Sequence, residues 1–370
     1  MDNIFENVKP PEPKKLSRSR FDINDSALAV VIFIALNIAF TFVISGVNFG
    51  TISGTIWYYL LQVAVEVVFI LAAFIVARVR NLSFIEDTGM KNKVSWKMVG
   101  WCFLVSLVSI IFFGNLTNVF IAFIELLGYE SILGSIEVST FGQYLGMFFS
   151  TCVAAAFCEE LLFRGVILSG FRKYGAKVAI FASAFIFMIM HGNVEQTVHQ
   201  FIVGLIVGLI FYKTGNLWIG VLVHFFNNLI PVTLTYYINT AYEMPAEVAA
   251  ETAAATEVGF GSLLLDFGIA VLAAWFGYQL LKWLFDKIFA ENKKLNGEYE
   301  VVGQKTEVVI DGKQTTVDIT IDGEPANVQE QITEEKKVEP MSRATLIMFI
   351  ISGVYLIGTW LMNTITGFLI

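Results

Sequence analysis

Residues 144–168 read YLGMFFSTCVAAAFCEELLFRGVIL and form an apolar run long enough to cross a membrane. A helix needs about 20 such residues to span the hydrocarbon core of a bilayer. Three charged residues, Glu159, Glu160 and Arg164, nevertheless lie inside this run. Each charge costs about 2.5–3.5 kcal/mol at the middle of a spanning helix on insertion scales, so such residues indicate a functional site.

Eight further apolar runs meet or approach the same length, at 27–49, 52–77, 98–127, 176–190, 197–212, 217–238, 260–285 and 344–370. Only 15% of the 370 residues are charged, against about 25% in a soluble domain. Backbone groups in lipid must be paired within their own segment, and the runs show no barrel-type alternation. We therefore predict an all-α polytopic membrane protein with about nine transmembrane helices.

The distribution of Lys and Arg predicts the orientation of these helices. We number the nine runs in chain order, so that 144–168 is the fourth. Basic residues concentrate in the N-terminal segment, after the second and fourth runs, and at the end of the eighth run. The connections 128–143 and 241–259 contain Glu but neither Lys nor Arg. Nine alternating helices place all the basic segments in the cytoplasm and both acidic connections outside. We expect a multi-pass protein of a bacterial plasma membrane with a cytoplasmic N-terminus.

The same patterns divide the chain into segments. Alternation of Val317, Ile319 and Ile321 with polar residues predicts a strand, and Asp311-Gly312 is typical of a hairpin turn. The predicted organisation is a cytoplasmic tail at 1–26, transmembrane helices at 27–127, a membrane core at 142–240, an acidic extracytoplasmic loop at 241–259, a transmembrane helix at 260–290, a cytoplasmic β-hairpin insert at 291–340 and a last transmembrane helix at 344–370.

The charged residues of the fourth run divide into a pair and a single carboxylate. Glu160 and Arg164 are four residues apart and share a helix face, so they can neutralise each other. Glu159 then has no local partner, and such a carboxylate can act as a base or an acid. The alternative is that all three snorkel at the cytoplasmic end, which suits Arg164 but not two adjacent glutamates, because cytoplasmic ends favour cations.

The three histidines extend this candidate site. His191 follows Phe187 by one helical turn, and His224 shares a helix face with Asn228. His199 has no such neighbour on its own helix and is interpreted as an ordinary polar residue. Each histidine alone is more often structural, but Glu159, His191 and His224 on three helices together favour a shared site.

Two mechanisms fit these residues. In the first, Glu159 and His191 deprotonate a water that attacks a peptide carbonyl, while His224 and Asn228 stabilise the oxyanion. In the second, Glu159, His191 and His224 bind Zn²⁺, with water at the fourth position. The chain lacks the His-Glu-x-x-His motif of common zinc peptidases, and we favour the version without a metal or other cofactor.

Three ordered motifs, Glu159-Glu160-x-x-x-Arg164, Phe187-x-x-x-His191 and His224-x-x-x-Asn228, closely resemble the CPBP family of CAAX proteases and bacteriocin-processing enzymes, also called Abi. The resemblance covers about 142–236 and includes Gly204-x-x-x-Gly208, for which plain helix packing is the simpler reading. It implies an intramembrane endopeptidase in which Glu159 and His191 activate water and His224 and Asn228 bind the oxyanion. It also implies supporting roles for Glu160, Arg164 and Phe187, and a function in bacteriocin immunity or peptide processing.

Expected partners are the bilayer and a membrane-associated peptide or protein, because a net charge of −8 gives no basic surface for nucleic acid. Two rival functions are a proton-coupled transporter and a non-catalytic immunity or scaffold protein. The transporter would make use of buried groups such as Glu66, but transporters usually show internal repeats and matching broken helices, which the sequence lacks. A scaffold would tolerate the loss of Glu159, although the motif set is intact.

One geometric difficulty concerns the fifth and sixth runs, each about 15 residues long. They form either a hairpin that does not fully cross the membrane or tilted helices beside a water-filled cavity. If the fifth run crossed fully, His191 would lie at the outer end, too far from Glu159 to share a water. A short or kinked fifth run would bring the two together.

Overall fold

A computed structural model describes residues 20–48, 52–131, 138–241, 260–297, 305–310, 313–318 and 341–369. Its membrane part is entirely helical. We number the helices α1 (Ile23–Ile44), α2 (Ile56–Val79), α3 (Phe84–Asp87), α4 (Trp96–Leu126), α5 (141–171), α6 (Ala176–Met190), α7 (Thr197–Thr214), α8 (Leu217–Ala241), α9 (Phe260–Asn296) and α10 (Arg343–Leu369).

Each of the nine predicted apolar runs contains a helix within its described residues. Within the described residues, seven helices are long and apolar enough to cross a membrane, namely α1, α2, α4, α7, α8, α9 and α10. Helix α5 carries the charged residues and α6 has only 15 residues. A multi-pass membrane protein is therefore established, while the count of nine crossings stays a prediction.

Helix α1 begins at Ile23, four residues before the apolar run that starts at residue 27. Asp22 and Asp25 form a reciprocal capping box: each side chain accepts a hydrogen bond from the other residue's backbone N–H. This arrangement satisfies N–H groups that the first turn leaves unpaired. Polar residues therefore belong to the start of the helix, where an apolar run alone does not reveal them.

Helix α9 continues through Asn296 into the region assigned to the insert at 291–340. Asn292 Oδ1 accepts a hydrogen bond of 3.0 Å from Asn216, and Asn296 Nδ2 donates one of 2.9 Å to Lys93 O. These contacts fix the last turns of α9 against the connections before α4 and α8, so the polar end of the helix is held in place.

Two short strands follow α9. β1 (Lys305–Ile310) and β2 (Lys313–Asp318) pair antiparallel, with Lys305 opposite Asp318 and Ile310 opposite Lys313. The predicted turn Asp311-Gly312 and residues 319–340 lie outside the described residues. A cytoplasmic β-insert over this region stays a prediction.

Helix α5 lies at the centre of the fold, with α1, α2, α6 and α8 packed around it. Its segment Leu161–Leu168 is buried at every position, charged Arg164 included. The hydrogen bonds follow the wider π-helical pattern over Phe148–Ala155 and Leu161–Leu168, on either side of Glu159 and Glu160. Such local widening is frequent at functional sites.

The short helix α6 resolves the geometric difficulty of the sequence. At 1.5 Å per residue, α5 continues for about 18 Å from Glu159 to Phe171. Helix α6 then runs back for about 22 Å and ends at Met190, followed by His191. Because the two lengths are similar, His191 lies at the level of Glu159, as the short-helix alternative predicts.

Candidate active site

Glu159, His191 and His224 meet between α5, the end of α6, and α8. Glu159 Oε2 lies 4.0 Å from His191 Nε2 and 3.9 Å from His224 Nε2. This oxygen is buried and has no hydrogen-bond partner among the described residues. One carboxylate oxygen thus faces two imidazole nitrogens at separations slightly longer than a hydrogen bond.

The opposite nitrogen of each imidazole is held by a protein acceptor. His191 Nδ1 lies 2.8 Å from Phe187 O, one turn earlier on α6. His224 Nδ1 lies 3.0 Å from Glu160 Oε1. A carbonyl and a carboxylate oxygen can only accept, so both Nδ1 atoms carry a proton and both Nε2 atoms point toward Glu159.

Phe187 supports the two imidazoles from one side. Its ring centroid lies 4.8 Å from that of His191 and 5.8 Å from that of His224, both in edge-to-face geometry. The Arg164 guanidinium carbon lies 4.6 Å from the same ring. A single aromatic side chain therefore fixes both histidines and covers a buried cation.

Glu160 and Arg164 form the expected pair, and neither side chain is exposed to solvent. Arg164 Nη1 lies 2.8 Å from Glu160 Oε1, and Arg164 Nη2 donates to Gly204 O at 3.3 Å. Glycine at position 220 also makes room for Glu160, since a Cβ atom there would lie 3.1 Å from Glu160 Oε2. The motif spacing predicts the ion pair but not the two glycines, which contact it from other helices.

Asn228 does not join the other predicted residues directly. Its Nδ2 donates to Thr151 O on α5 at 2.9 Å, and no hydrogen bond between Asn228 and Glu159, His191 or His224 occurs in the part of the chain that the structure describes. The amide can donate a second hydrogen. Its predicted oxyanion role therefore stays a hypothesis.

His199 has a partner that its own helix does not reveal. Asn227 Nδ2 on α8 lies 3.0 Å from His199 Nε2 on α7. The sequence singles out Asn228 on that face and overlooks Asn227, because the partner lies 28 residues away on another helix. His199 thus serves contact between α7 and α8, in line with its interpretation as a non-catalytic polar residue.

Glu66 on α2 lies beside the same centre. One turn earlier, Gln62 accepts a hydrogen bond of 2.8 Å from Ser150 on α5, and one turn later Phe69 lies 6.0 Å from Phe163. Glu66 interacts electrostatically with Glu159, and its buried Oε2 has no hydrogen-bond partner among the described residues. An interhelical hydrogen bond is the structural alternative to a transport role for Glu66, and none is made by Glu66 Oε2 among the described residues.

Residues 141–230 match the family model of the type II CAAX prenyl endopeptidase Rce1-like proteins. No curated protein and no solved structure matches the chain. The matched region contains all three motifs and runs from the start of α5 into α8. The resemblance to the CPBP family is thereby confirmed for residues 141–230 of this membrane protein, which are similar to the type II CAAX prenyl endopeptidase Rce1-like proteins.

Proposed function

We propose that this protein is an intramembrane endopeptidase that hydrolyses a peptide bond with water activated by Glu159 and His191. The observation that carries the proposal is the position of Glu159 Oε2, which faces two Nε2 atoms at 4.0 and 3.9 Å. Polar groups separated by more than a hydrogen bond are commonly bridged by water. A water held there would contact the carboxylate and an imidazole together.

In the proposed reaction Glu159 transfers a proton from the attacking water to the leaving amine. Glu159 takes a proton from the water, and the hydroxide oxygen attacks the peptide carbonyl carbon. The carbon–nitrogen bond then breaks, and Glu159 returns the proton to the leaving amine nitrogen. His191 Nε2 accepts a hydrogen bond from the water, since its Nδ1 already donates to Phe187 O.

His224 and Asn228 take the charge that develops on the carbonyl oxygen. Glu160 accepts the Nδ1 proton of His224 and orients the imidazole, as the aspartate does in serine-protease triads. Donation from Nε2 to the oxyanion requires that this nitrogen also carries a proton. The second amide hydrogen of Asn228 supplies another donor in this proposal. One such donor accounts for about 2.7–4 kcal/mol of transition-state stabilisation in a serine protease.

A zinc mechanism would use Glu159 Oε2, His191 Nε2 and His224 Nε2, and these ligand types suit zinc. The described residues contain no group of three or more His, Cys, Asp and Glu arranged to hold a metal ion. Ligands bound tetrahedrally at about 2.0–2.1 Å would lie about 3.4 Å apart, closer than the separations of 3.9 and 4.0 Å here. The mechanism proposed for these residues therefore uses no metal ion.

The substrate in this proposal is a membrane-associated peptide or protein, because the site lies between apolar helices. Peptide processing or bacteriocin immunity is the cellular role implied by the family resemblance. The proposed orientation has the basic segments inside the cell, with α6 and α7 forming a hairpin whose turn carries His191.

The test compares membrane-associated peptide ends in cells that produce either wild-type protein or Glu159→Ala. Glu159→Ala is expected to reduce specific product ends at least 100-fold, because a general base contributes about 10²–10⁴ in rate. His191→Ala should give a comparable loss. Glu125→Ala is the control, since Glu125 is exposed at the end of α4.

All variants must insert and fold, as checked by membrane yield and thermal unfolding in detergent. The peptidase mechanism would be contradicted if the Glu159→Ala protein were well folded and the product ends still appeared in cells that produce it. Purified wild-type protein should keep its activity after dialysis against a strong chelator. Loss of activity that zinc restores would instead support the metal-dependent version.

A further inference from the structure

The segment that follows His191 is held by parts of the chain outside the matched region 141–230. His191 ends α6, and Gly192 follows it with a φ of 62°, a left-handed conformation that suits glycine at a helix end. Residues 192–196 then connect α6 to α7. Because His191 begins this connection, the position of its imidazole depends on how the connection is fixed.

Helix α10 fixes the connection at both ends. Asn363 Nδ2 donates to Gly192 O at 2.6 Å, immediately after His191. Trp360 Nε1 donates to Thr197 Oγ1 at 3.0 Å, at the first residue of α7. Thr197 Oγ1 in turn donates to Asn193 O at 3.3 Å. Two side chains three positions apart on one helix therefore bracket the whole connection.

The segment after α4 adds a third attachment. Tyr129 Oη and Ser131 Oγ donate to Glu195 Oε1 at 3.0 and 2.8 Å. Tyr129 also packs against Gly367 of α10, and Glu130 N donates to Gly367 O at 2.7 Å. Helix α10 and the segment after α4 thus contact each other as well as the connection, although neither lies within 141–230.

We propose that α10 positions the active site, with Asn363 and Trp360 as positioning residues that keep His191 Nε2 beside Glu159. The inference rests on the proposed peptidase function for its effect on activity. A carbonyl held at the residue after His191 limits rotation and displacement of the α6 end. Misplacement of a reacting group by about 1 Å can cost about 100-fold in rate, so a small movement here has a large effect.

The experiment uses full-length protein with four substitutions on α10. Asn363→Leu keeps a branched side chain and removes the donor, Asn363→Gln keeps a donor, and Trp360→Phe keeps an aromatic ring but removes the indole N–H together with part of the ring. Thr366→Val is the matched control, because the Thr366 hydroxyl donates within its own helix to Met362 O at 2.9 Å. Hydrogen exchange of peptides covering 189–197 and the rate of appearance of Glu159-dependent peptide ends in cells are measured for each.

Asn363→Leu and Trp360→Phe should accelerate exchange in 189–197 and slow product formation by about 10-fold or more. Asn363→Gln should have an exchange rate and a rate of product formation between those of Asn363→Leu and wild type. Thr366→Val should match wild type in both rates. The proposal would be overturned if Asn363→Leu and Trp360→Phe both matched Thr366→Val in hydrogen exchange and in product formation. It would also be overturned if these two variants formed product slowly without faster exchange in 189–197. If wild-type cells show no Glu159-dependent ends, the peptidase function fails, while the exchange result still decides whether α10 holds the connection.

Discussion

Glu160 serves two partners at once. Its Oε1 lies 2.8 Å from Arg164 Nη1 and 3.0 Å from His224 Nδ1, and no part of its side chain is exposed. Arg164 makes the burial of this carboxylate possible, and the carboxylate orients the imidazole. The adjacent glutamates therefore have different tasks: Glu160 fixes charge and orientation, while Glu159 keeps an oxygen toward the two Nε2 atoms.

This division predicts different consequences for neutralising the two carboxylates. Glu160→Gln leaves the Arg164 charge buried without its counter-ion, so it should destabilise the protein by about 3–5 kcal/mol. Glu159→Gln removes no ion pair with Arg or Lys and should unfold near the wild-type temperature. Thermal unfolding in detergent measures both.

A double variant tests whether Glu160→Gln destabilises the protein because it leaves the Arg164 charge unpaired. Glu160→Leu combined with Arg164→Leu removes both charges, and such apolar replacements are often neutral or stabilising. We expect it to recover most of the stability lost in Glu160→Gln but none of the cleavage, since His224 loses its Nδ1 acceptor. A Glu160→Gln protein as stable as wild type would contradict this account of the pair.

The residues of the site differ in how far the sequence reveals them. The contact of Glu160 with Arg164 follows from their spacing of four on one helix. Its contact with His224 spans 64 residues and depends on how α5 and α8 pack. Gly204, whose carbonyl accepts from Arg164, is visible in sequence only as a packing residue.

At the level of helices, α6 is the element whose length decides the site. Its bounds, Ala176–Met190, are those of the predicted apolar run. Whether it crosses the membrane could not be read from length alone, because the answer depends on where α5 turns and how α7 returns. Close packing of α6 and α7 is therefore as important as the length of α6.

Two glycines of α7 provide a matched test of that packing. A Cβ at position 204 would lie 3.0 Å from Ala184 Cα of α6, whereas a Cβ at position 208 would meet Ile180 at an ordinary 3.4 Å. Gly204→Ala should force the helices apart and cost about 1–3 kcal/mol. Gly208→Ala should be close to neutral, since alanine also favours the helix by about 1 kcal/mol.

Cleavage activity is a second measurement on the Gly204→Ala and Gly208→Ala variants. Separation of α7 from α6 also moves Gly204 O, the acceptor of Arg164, so Gly204→Ala should lose activity as well as stability. Gly208→Ala should retain activity. If both variants unfold at the same temperature and cleave equally, close approach at position 204 has no special role.

Across the whole molecule, hydrophobic runs predict which segments are helical because lipid permits little else. They do not predict that α9 extends to Asn296 or that α10 reaches the end of α6, since these depend on contacts between distant segments. The region at 141–230 that matches the Rce1-like family model contains Glu159, His191 and His224, the reactive groups of the proposed mechanism. Helices on both sides of it in sequence, α2 and α10, complete its surroundings.

The orientation of the whole protein gives the last prediction. Basic segments should face the cytoplasm, so Lys91, after α3, lies inside, and Glu130, after α4, lies outside. Both positions are exposed, and the native cysteines Cys102, Cys152 and Cys158 are buried. A membrane-impermeant maleimide added to intact cells should label Glu130→Cys but not Lys91→Cys, and permeabilised cells should show both. Because α5 and α6 follow Glu130 directly, the reverse labelling would invert the proposed placement of the His191 turn relative to the outer surface.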